Sequence, residues 1–317
     1  MLDFFNQYPI IKWILVGFGV LYFLDKYGIW SPIDNLLNRR GRYKFKMRSH
    51  LNKQQLNQLI AYFNKGEYHN VEQLFKGFND SYRAFGFKSL GQYGEQSVSD
   101  AWLVKEPNND LPKIIKGHQL IHQAWEVRGR DTIDTVSNQN QNTFKGYLKK
   151  AEKLLLKVDL NTSNYKVSCV ASLFTIYKAI DVNREKVHQL FKETDRQSPN
   201  NAELHAHYFS FVSPKWGASE DELNAYMSHL NSQSPFIQDL ILAQYYFDLV
   251  HLYDYEDDDK NILQFIESVK AKTISDDNLF KYDLYLLLYW LSNNLDLRSL
   301  EKYFKKQIEP YWEDEID

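Results

Sequence analysis

The feature that most constrains the fold is a recurring break in the apolar pattern between Asn142 and Asp254. Three short segments, 157–161 (KVDLN), 195–199 (DRQSP) and 231–235 (NSQSP), interrupt runs in which apolar residues recur at helical spacing. The last two breaks carry Ser-Pro pairs 36 positions apart, and the first lies about the same distance upstream. A period in the mid-thirties holding two helical runs is the pattern of a tetratricopeptide-like α-solenoid. A two-helix unit of that size cannot bury its own apolar face, so neighbouring units must stack into one continuous core. The expected fold is therefore all-α: a tetratricopeptide-like α-solenoid of antiparallel helix pairs, with an N-terminal apolar anchor helix.

Helical runs follow one another elsewhere with almost no strand-like alternation. Leu51, Leu56, Leu59, Ile60 and Phe63 make one apolar stripe, and Val71, Leu74, Phe75 and Phe78 begin the next. Residues 80–94 mix glycine with aromatics and read as an irregular connection. Ser97–Asp100 offers capping side chains for a helix that stops before Pro107, and the next is expected over 112–127. Further helices are expected at 142–158, 165–180, 184–196, 202–211, 219–231, 236–252, 261–271, 276–290 and 297–308, with Thr273–Asp277 capping the penultimate one. The run 165–180 is apolar on most sides and should be the most buried, with Cys169 as a small core residue. With 13 Gly and 8 Pro, the chain has too few breakers for a turn-rich all-β fold, and its single cysteine excludes a disulfide framework or multi-cysteine zinc site.

Pro9–Leu24 is apolar apart from Lys12. Its uncharged part is 12 residues long, short of the roughly 20 needed to cross a bilayer. If Lys12 reaches to the interface, the span extends from Phe4 to Leu24. The expected membrane anchor comprises Trp13, Ile14, Leu15, Val16, Phe18, Val20, Leu21, Tyr22, Phe23 and Leu24, with Tyr27 and Trp30 as further interfacial aromatics. No small-residue cleavage site follows, and the alternative is a buried or partner-bound core helix. Arg39, Arg40, Arg42, Lys44, Lys46 and Arg48 come next, whereas the first eight residues hold no Lys or Arg. The positive-inside rule then makes this a single-pass inner-membrane protein with its body in the cytoplasm. The net charge of -3 gives no global pull toward nucleic acid. The chain is accordingly divided into an anchor (1–30), a basic juxtamembrane linker (31–50), an N-terminal helical layer (51–96) and a repeat domain (97–317).

Two motifs stand out within the repeats. Ala124–Gly129 (AWEVRG) fits an AW-x-x-RG pattern, and Pro214–Ser219 (PKWGAS) follows a P-x-WG-G-S pattern, departing from it at Ala218. With the upstream Ala101-Trp102-Leu103 and the helical spacing, the chain over 97–252 resembles a poorly characterised bacterial family of unknown function with a tetratricopeptide-like body. That resemblance implies helical repeats and carries no established activity. Physically, Trp125 fills interhelical space, Arg128 near a helix end donates to free carbonyls or pairs with an acid, and Gly129 lets the chain turn. Ser219 caps a helix whose first turn holds Glu220, Asp221 and Glu222. The functional reading is that Trp125, Arg128 and Trp216 line a binding surface.

Catalytic and metal signatures are sparse. His118 and His122 are spaced like a zinc-binding pair, but Gln119 stands where the metalloprotease motif has glutamate, and no third ligand is evident. His205 and His207 beside Glu203 form an acid–base set only if the helix breaks there, because positions two apart face different sides. No nucleophile elbow, phosphate loop or dinucleotide fingerprint is present, so no cofactor and no metal is expected. The acidic run Glu256, Asp257, Asp258, Asp259 lacks the alternating ligands and central glycine of an EF-hand. The C-terminal 309–317 segment mixes acid with aromatics, as a frayed end or a recruiting segment for a basic partner does.

These features favour a non-catalytic, membrane-tethered module that binds a protein or peptide, either an adaptor or an immunity protein that neutralises a bacterial toxin. A basic toxin domain would be met by Glu220, Asp221 and Glu222 and by Glu256–Asp259. The alternative is a hydrolase or transferase with its site in the helical groove.

Overall fold

Apolar residues at three- and four-residue spacing dictate helices, and helices make up nearly all of the body. A computed structural model of the chain describes residues 44–47, 53–129, 136–253, 259–309 and 312–315. Among these residues there are fourteen α-helices. They are α1 (Gln54–Asn64), α2 (Tyr68–Gly77), α3 (Asp80–Tyr93), α4 (Gln96–Lys105), α5 (Asp110–Arg128), α6 (Asn138–Leu155) and α7 (Lys166–Tyr177). After them come α8 (Arg184–Gln197), α9 (Ala202–Val212), α10 (Glu220–Leu230), α11 (Pro235–Tyr253), α12 (Asp259–Lys270), α13 (Phe280–Asn294) and α14 (Arg298–Ile308). The body is all-α and lies in one compact unit, Met47–Glu313. A second, small unit comprises Met1–Lys46 with Asp314–Asp317. Two short strands, β1 (Lys44–Met47, KFKM) and β2 (Trp312–Glu315, WEDE), pair as a two-stranded ribbon. The expected anchor residues 9–24, the linker arginines and the acidic residues 256–258 lie outside the described residues.

The odd-numbered helices from α1 to α13 each pack on the next odd one, and even-numbered helices pack against this row. The three breaks found in the sequence fall between α6 and α7, α8 and α9, and α10 and α11, one per helix pair. Hydrogen bonds repeat with the same period. Ser168 bonds Glu203 across 35 positions, Thr175 meets His207 across 32, Asp195 meets His229 across 34, Ser213 bonds Asp248 across 35, and Lys272 bonds Asp239 across 33. The spacing extends to the front of the body, where the Glu95 N–H donates to Asn64 Oδ1 across 31 positions. All but Lys272–Asp239, which stays within the α11–α12 pair, join successive helix pairs. Between the pairs lies an apolar core in which Phe174, Phe191, Leu204, Tyr208, Phe211 and Ile241 are buried together.

The row bends back so that its second helix, α3, meets its last, α13. Helix α3 packs on α7 and α9 as well as on α5. It also reaches the start of α13: Phe85 lies edge-on to Phe280 at 5.6 Å, and Lys88 pairs with Asp283 at 3.5 Å. The Ser81 hydroxyl donates to the Asp277 carbonyl (2.9 Å) and accepts the Leu279 N–H (3.1 Å). Leu279, the N-cap of α13, offers no side-chain cap; Asn278 Oδ1 takes the Phe280 N–H (3.2 Å), and α3 supplies a partner for the Leu279 N–H.

Residues 80–94, expected to be irregular, form helix α3, capped by Asn79. Its glycines mark close packing rather than a break. A Cβ at Gly91 would stand 3.0 Å from His118 Cβ and 3.2 Å from the His118 carbonyl, and one at Gly86 would meet Leu59 and Phe75 at 3.1–3.3 Å. Burial against α1 and α5 outweighs the helix penalty of glycine, about 1 kcal/mol each. The expected caps at Ser97–Asp100 and Thr273–Asp277 are also corrected: α4 starts earlier, after Glu95, which makes no side-chain cap, and α13 starts later, after Leu279, where Asn278 takes the Phe280 N–H. Helix α7 is buried along most of its length, and Cys169 is fully enclosed, its thiol pushed up to about 12 chiefly by burial.

Replacing Ser81 by Ala removes its two hydrogen bonds to residues 277 and 279 and strands a buried Leu279 N–H, while Asn79 Nδ2 still donates to the Asp277 carbonyl (3.2 Å). We expect a loss of about 1–3 kcal/mol in urea unfolding, whereas Ser228→Ala, at an exposed hydroxyl, should stay within about 0.5 kcal/mol of wild type.

Candidate binding cavity

The helix row lines a half-open cavity of about 500 Å³, within the usual range for ligand sites. Its walls come from α3, α5, α7, α9, α11 and α13, the odd-numbered helices alone. Ala84, Ile121, Ala206, Leu240, Phe280 and Leu286 make it largely apolar. Ser172 and Thr175 enter it from α7 because they share a stripe with Ser168 on an otherwise apolar helix.

Imidazoles and hydroxyls pair along the wall. Ser172 Oγ donates to the Ser168 carbonyl (2.7 Å), which leaves His118 Nε2, 2.9 Å away, to donate to Ser172. Thr175 Oγ1 lies 2.8 Å from His207 Nδ1. Burial pushes His118 down to about 4 and His207 to about 3, the latter helped by the charges of Lys178 and Lys88, so both rings are neutral at pH 7. Glu203, one turn before His207, is pushed up to about 7 by burial, although Ser168 Oγ donates to it at 2.7 Å. Gln244 Oε1 is buried in the same wall with no hydrogen-bond partner.

At the end where α5 and α7 terminate, two tryptophans and two cations come together. Trp125 and Trp216 meet edge to face at 5.7 Å. The Arg128 guanidinium lies 5.4 Å from the Trp125 ring and 6.0 Å from Trp216, and Lys178 Nζ lies 5.3 and 4.8 Å from the same rings. Trp216 is placed by a single 3-10 turn, Pro214–Trp216, which Gly217 ends in the left-handed region (φ 83°). Arg128 donates to the Gly129 carbonyl at 3.3 Å, as expected of a basic residue at a helix end. Burial pushes Lys178 down to about 8, aided by Lys215 and Arg128 and opposed by Asp248.

The structure thus brings Trp125, Arg128 and Trp216 to one place, with Lys178 among them. It does not bring Glu220, Asp221 or Glu222 there. Glu222 completes a capping box with Ser219 and is held by Arg184 (2.6 Å) and His188 (2.8 Å). Burial alone would raise its carboxyl, but Arg184, the Ser219 N–H and His188 outweigh it and hold the group down to about 2. Glu220 and Asp221 are exposed in the same first turn, and Asp259 opens α12. His205 and His207 point to opposite sides of a continuous α9. His207 lines the cavity with Glu203, while His205 is buried between Asp195 (3.0 Å) and Tyr226 (3.0 Å), and Asp195 also meets His229 (2.9 Å).

Sequence reasoning missed Lys178, Ser172 and Thr175. The signal for them was present: Ser168, Ser172, Thr175 and Lys178 recur at helical spacing on a run that is otherwise apolar. Among the described residues, no cluster of three or more His, Cys, Asp or Glu is placed to hold a metal. Also among them, no helix is long and apolar enough to cross a membrane. Comparisons with protein-family models, curated proteins and solved structures find no match for this chain. The cavity is therefore interpreted from its own chemistry.

Glu203 gives a direct test of the enclosure. Its folded value lies above the ordinary 4.5, so between pH 4.5 and about 7 the folded chain keeps a proton that the unfolded chain has released. Stability from this group is present below that window and lost as pH rises through it. Glu203→Gln should match wild type near pH 4 and exceed it by about 2–3 kcal/mol at pH 8. The opposite trend from His118 and His207 is common to both proteins and cancels in the difference measured by urea unfolding at each pH.

Proposed function

We propose that the chain is a non-catalytic binding module whose receptor site is the central cavity. We read the helix row as a tetratricopeptide-like solenoid curled until α3 touches α13; the 32–35-residue spacing of its cross-pair hydrogen bonds supports this. The observation that carries the functional reading is the division of labour around the cavity. Its inner hydroxyls and imidazoles are engaged with each other and Lys88 with Asp283, whereas Lys178 is held on tryptophan faces at the cavity's edge. His118, at about 4, is a weak base at neutral pH, and Ser172 donates to its own helix, so this pair resembles a wall rather than an activated nucleophile.

A protein or peptide partner would enter as a short segment, because about 500 Å³ admits only a few residues. This suits an adaptor, or an immunity protein that occludes a toxin by holding one of its segments. A basic toxin surface would instead be met by the exposed Glu220 and Asp221. The apolar N-terminal stretch and the basic residues after it would supply a tether on the cytoplasmic side of the inner membrane. The second reading, a groove hydrolase or transferase, is favoured by one fact: Glu203 and His207 do share the cavity.

Affinity capture from the native cells, comparing the wild type with Ala206→Phe and with Glu220→Lys/Asp221→Lys, tests the proposal. A partner held by the wild type should drop by about tenfold or more with the cavity-filling change and persist with the charge reversal. The opposite pattern would move the site to the α10 surface and overturn the cavity reading.

A further inference from the structure

Arg128 and Lys178 are both held by aromatic faces, not by acids. Neither makes an ion pair with a carboxylate among the described residues, whereas the neighbouring Lys215 is taken by Asp248 (3.4 Å). Both stand at helix C-terminal ends, where the macrodipole favours positive charge. That accounts for their sign but leaves most of their donors unmatched, since Arg128 spends one on Gly129 and Lys178 touches only rings. A cation partly stripped of water on tryptophan gains from any anion placed beside it. Deeper in the cavity the charge has the other sign or is already balanced, with Glu203 buried and Asp283 paired to Lys88. An anion is thus directed to the tryptophan end, and an apolar group to the wall beyond it.

We propose that the cavity takes an organic anion, its carboxylate or phosphate seated on Lys178 beside Trp125 at that end of the cavity, with Arg128 behind on the same tryptophans, and its apolar body against Ile121, Leu240 and Leu286. The inference rests on the cavity being the binding site and names the chemistry of its ligand, which a free small molecule or an acidic partner segment can supply. The groups facing Lys178 are Arg128, Lys215, Asp248 and His207; the last is neutral at pH 7, and an added anion would stabilise the charged lysine. Affinity should therefore fall as pH rises through the free lysine's value of about 8.

Tryptophan fluorescence of the full chain, titrated with matched acid and neutral probes, decides the matter. The pairs are decanoate with decanamide, and acetylated Leu-Asp-Leu amide with its Leu-Asn-Leu counterpart; whichever acid binds identifies the source of the anion. We expect an acid to bind about tenfold tighter than its neutral match at pH 7. That preference should weaken at about pH 9.5 in the wild type, persist there in Lys178→Arg, and vanish in the Arg128→Gln/Lys178→Gln double variant. Equal binding of acid and neutral probes, or no binding of either acid in the millimolar range, overturns the inference. Neutral probes that bind the wild type but not Ala206→Phe would leave the cavity reading standing without the anion. An acid preference that survives Ala206→Phe would keep the anion site and remove it from the cavity.

Discussion

The helical body depends on the meeting of α3 and α13. Stacked helix pairs bury their faces against neighbours, but the first and last pairs have a neighbour on one side only. Here the row turns back, and Phe85 against Phe280 with Lys88 against Asp283 covers what an open row would leave to water. Apolar contact alone would allow the two helices to slide. The Ser81 hydroxyl removes that freedom, because it satisfies a carbonyl and an N–H at the start of α13 from 196 and 198 positions away.

Closure also sets the electrostatics. Within the cavity wall the Glu203 carboxyl moves up and the His118 and His207 imidazoles and the Lys178 ammonium move down, so these four groups are displaced toward their neutral forms. Desolvation does this; charge pairing does the reverse. The contrast is visible in the same molecule at Glu222, where Arg184 and His188 hold the carboxyl down despite burial. Perturbation by enclosure, with room left for a ligand, marks a binding region more specifically than perturbation by ion pairing.

Much of the fold was legible because helical spacing and the mid-thirties period are local patterns. The boundaries of α8, α9 and α10 fall within a residue or so of their expected places, and each break separates one pair from the next. What was illegible depended on distant partners. Glycine-rich 80–94 looked irregular until Leu59, Phe75 and His118 were seen pressing on Gly86 and Gly91. The separation of His205 from His207 followed from helix geometry alone, yet which of them would face a cavity did not. Trp125, Arg128 and Trp216 were singled out as motif residues, and their meeting with Lys178 needed the helix ends to be placed in space. Glu222 looked available in the sequence because Arg184 and His188, its partners, lie on another helix.

The cross-pair hydrogen bonds explain why polar residues are tolerated on inner faces at all. Ser168 with Glu203, Thr175 with His207, Asp195 with His229 and Ser213 with Asp248 each join one helix pair to the next. Sliding a pair by one helical turn, about 5.4 Å, would break all of its bonds together, so this ladder fixes the register that apolar packing leaves loose. Polar groups in the ladder are accounted for by the fold. Arg128 and Lys178 are not in it: they bond no acid of a neighbouring pair, and the register does not need their charge. Keeping two such cations partly desolvated against each other costs stability unless something else meets them. Helix ends and tryptophan faces offset part of that cost, and an anionic ligand would offset more.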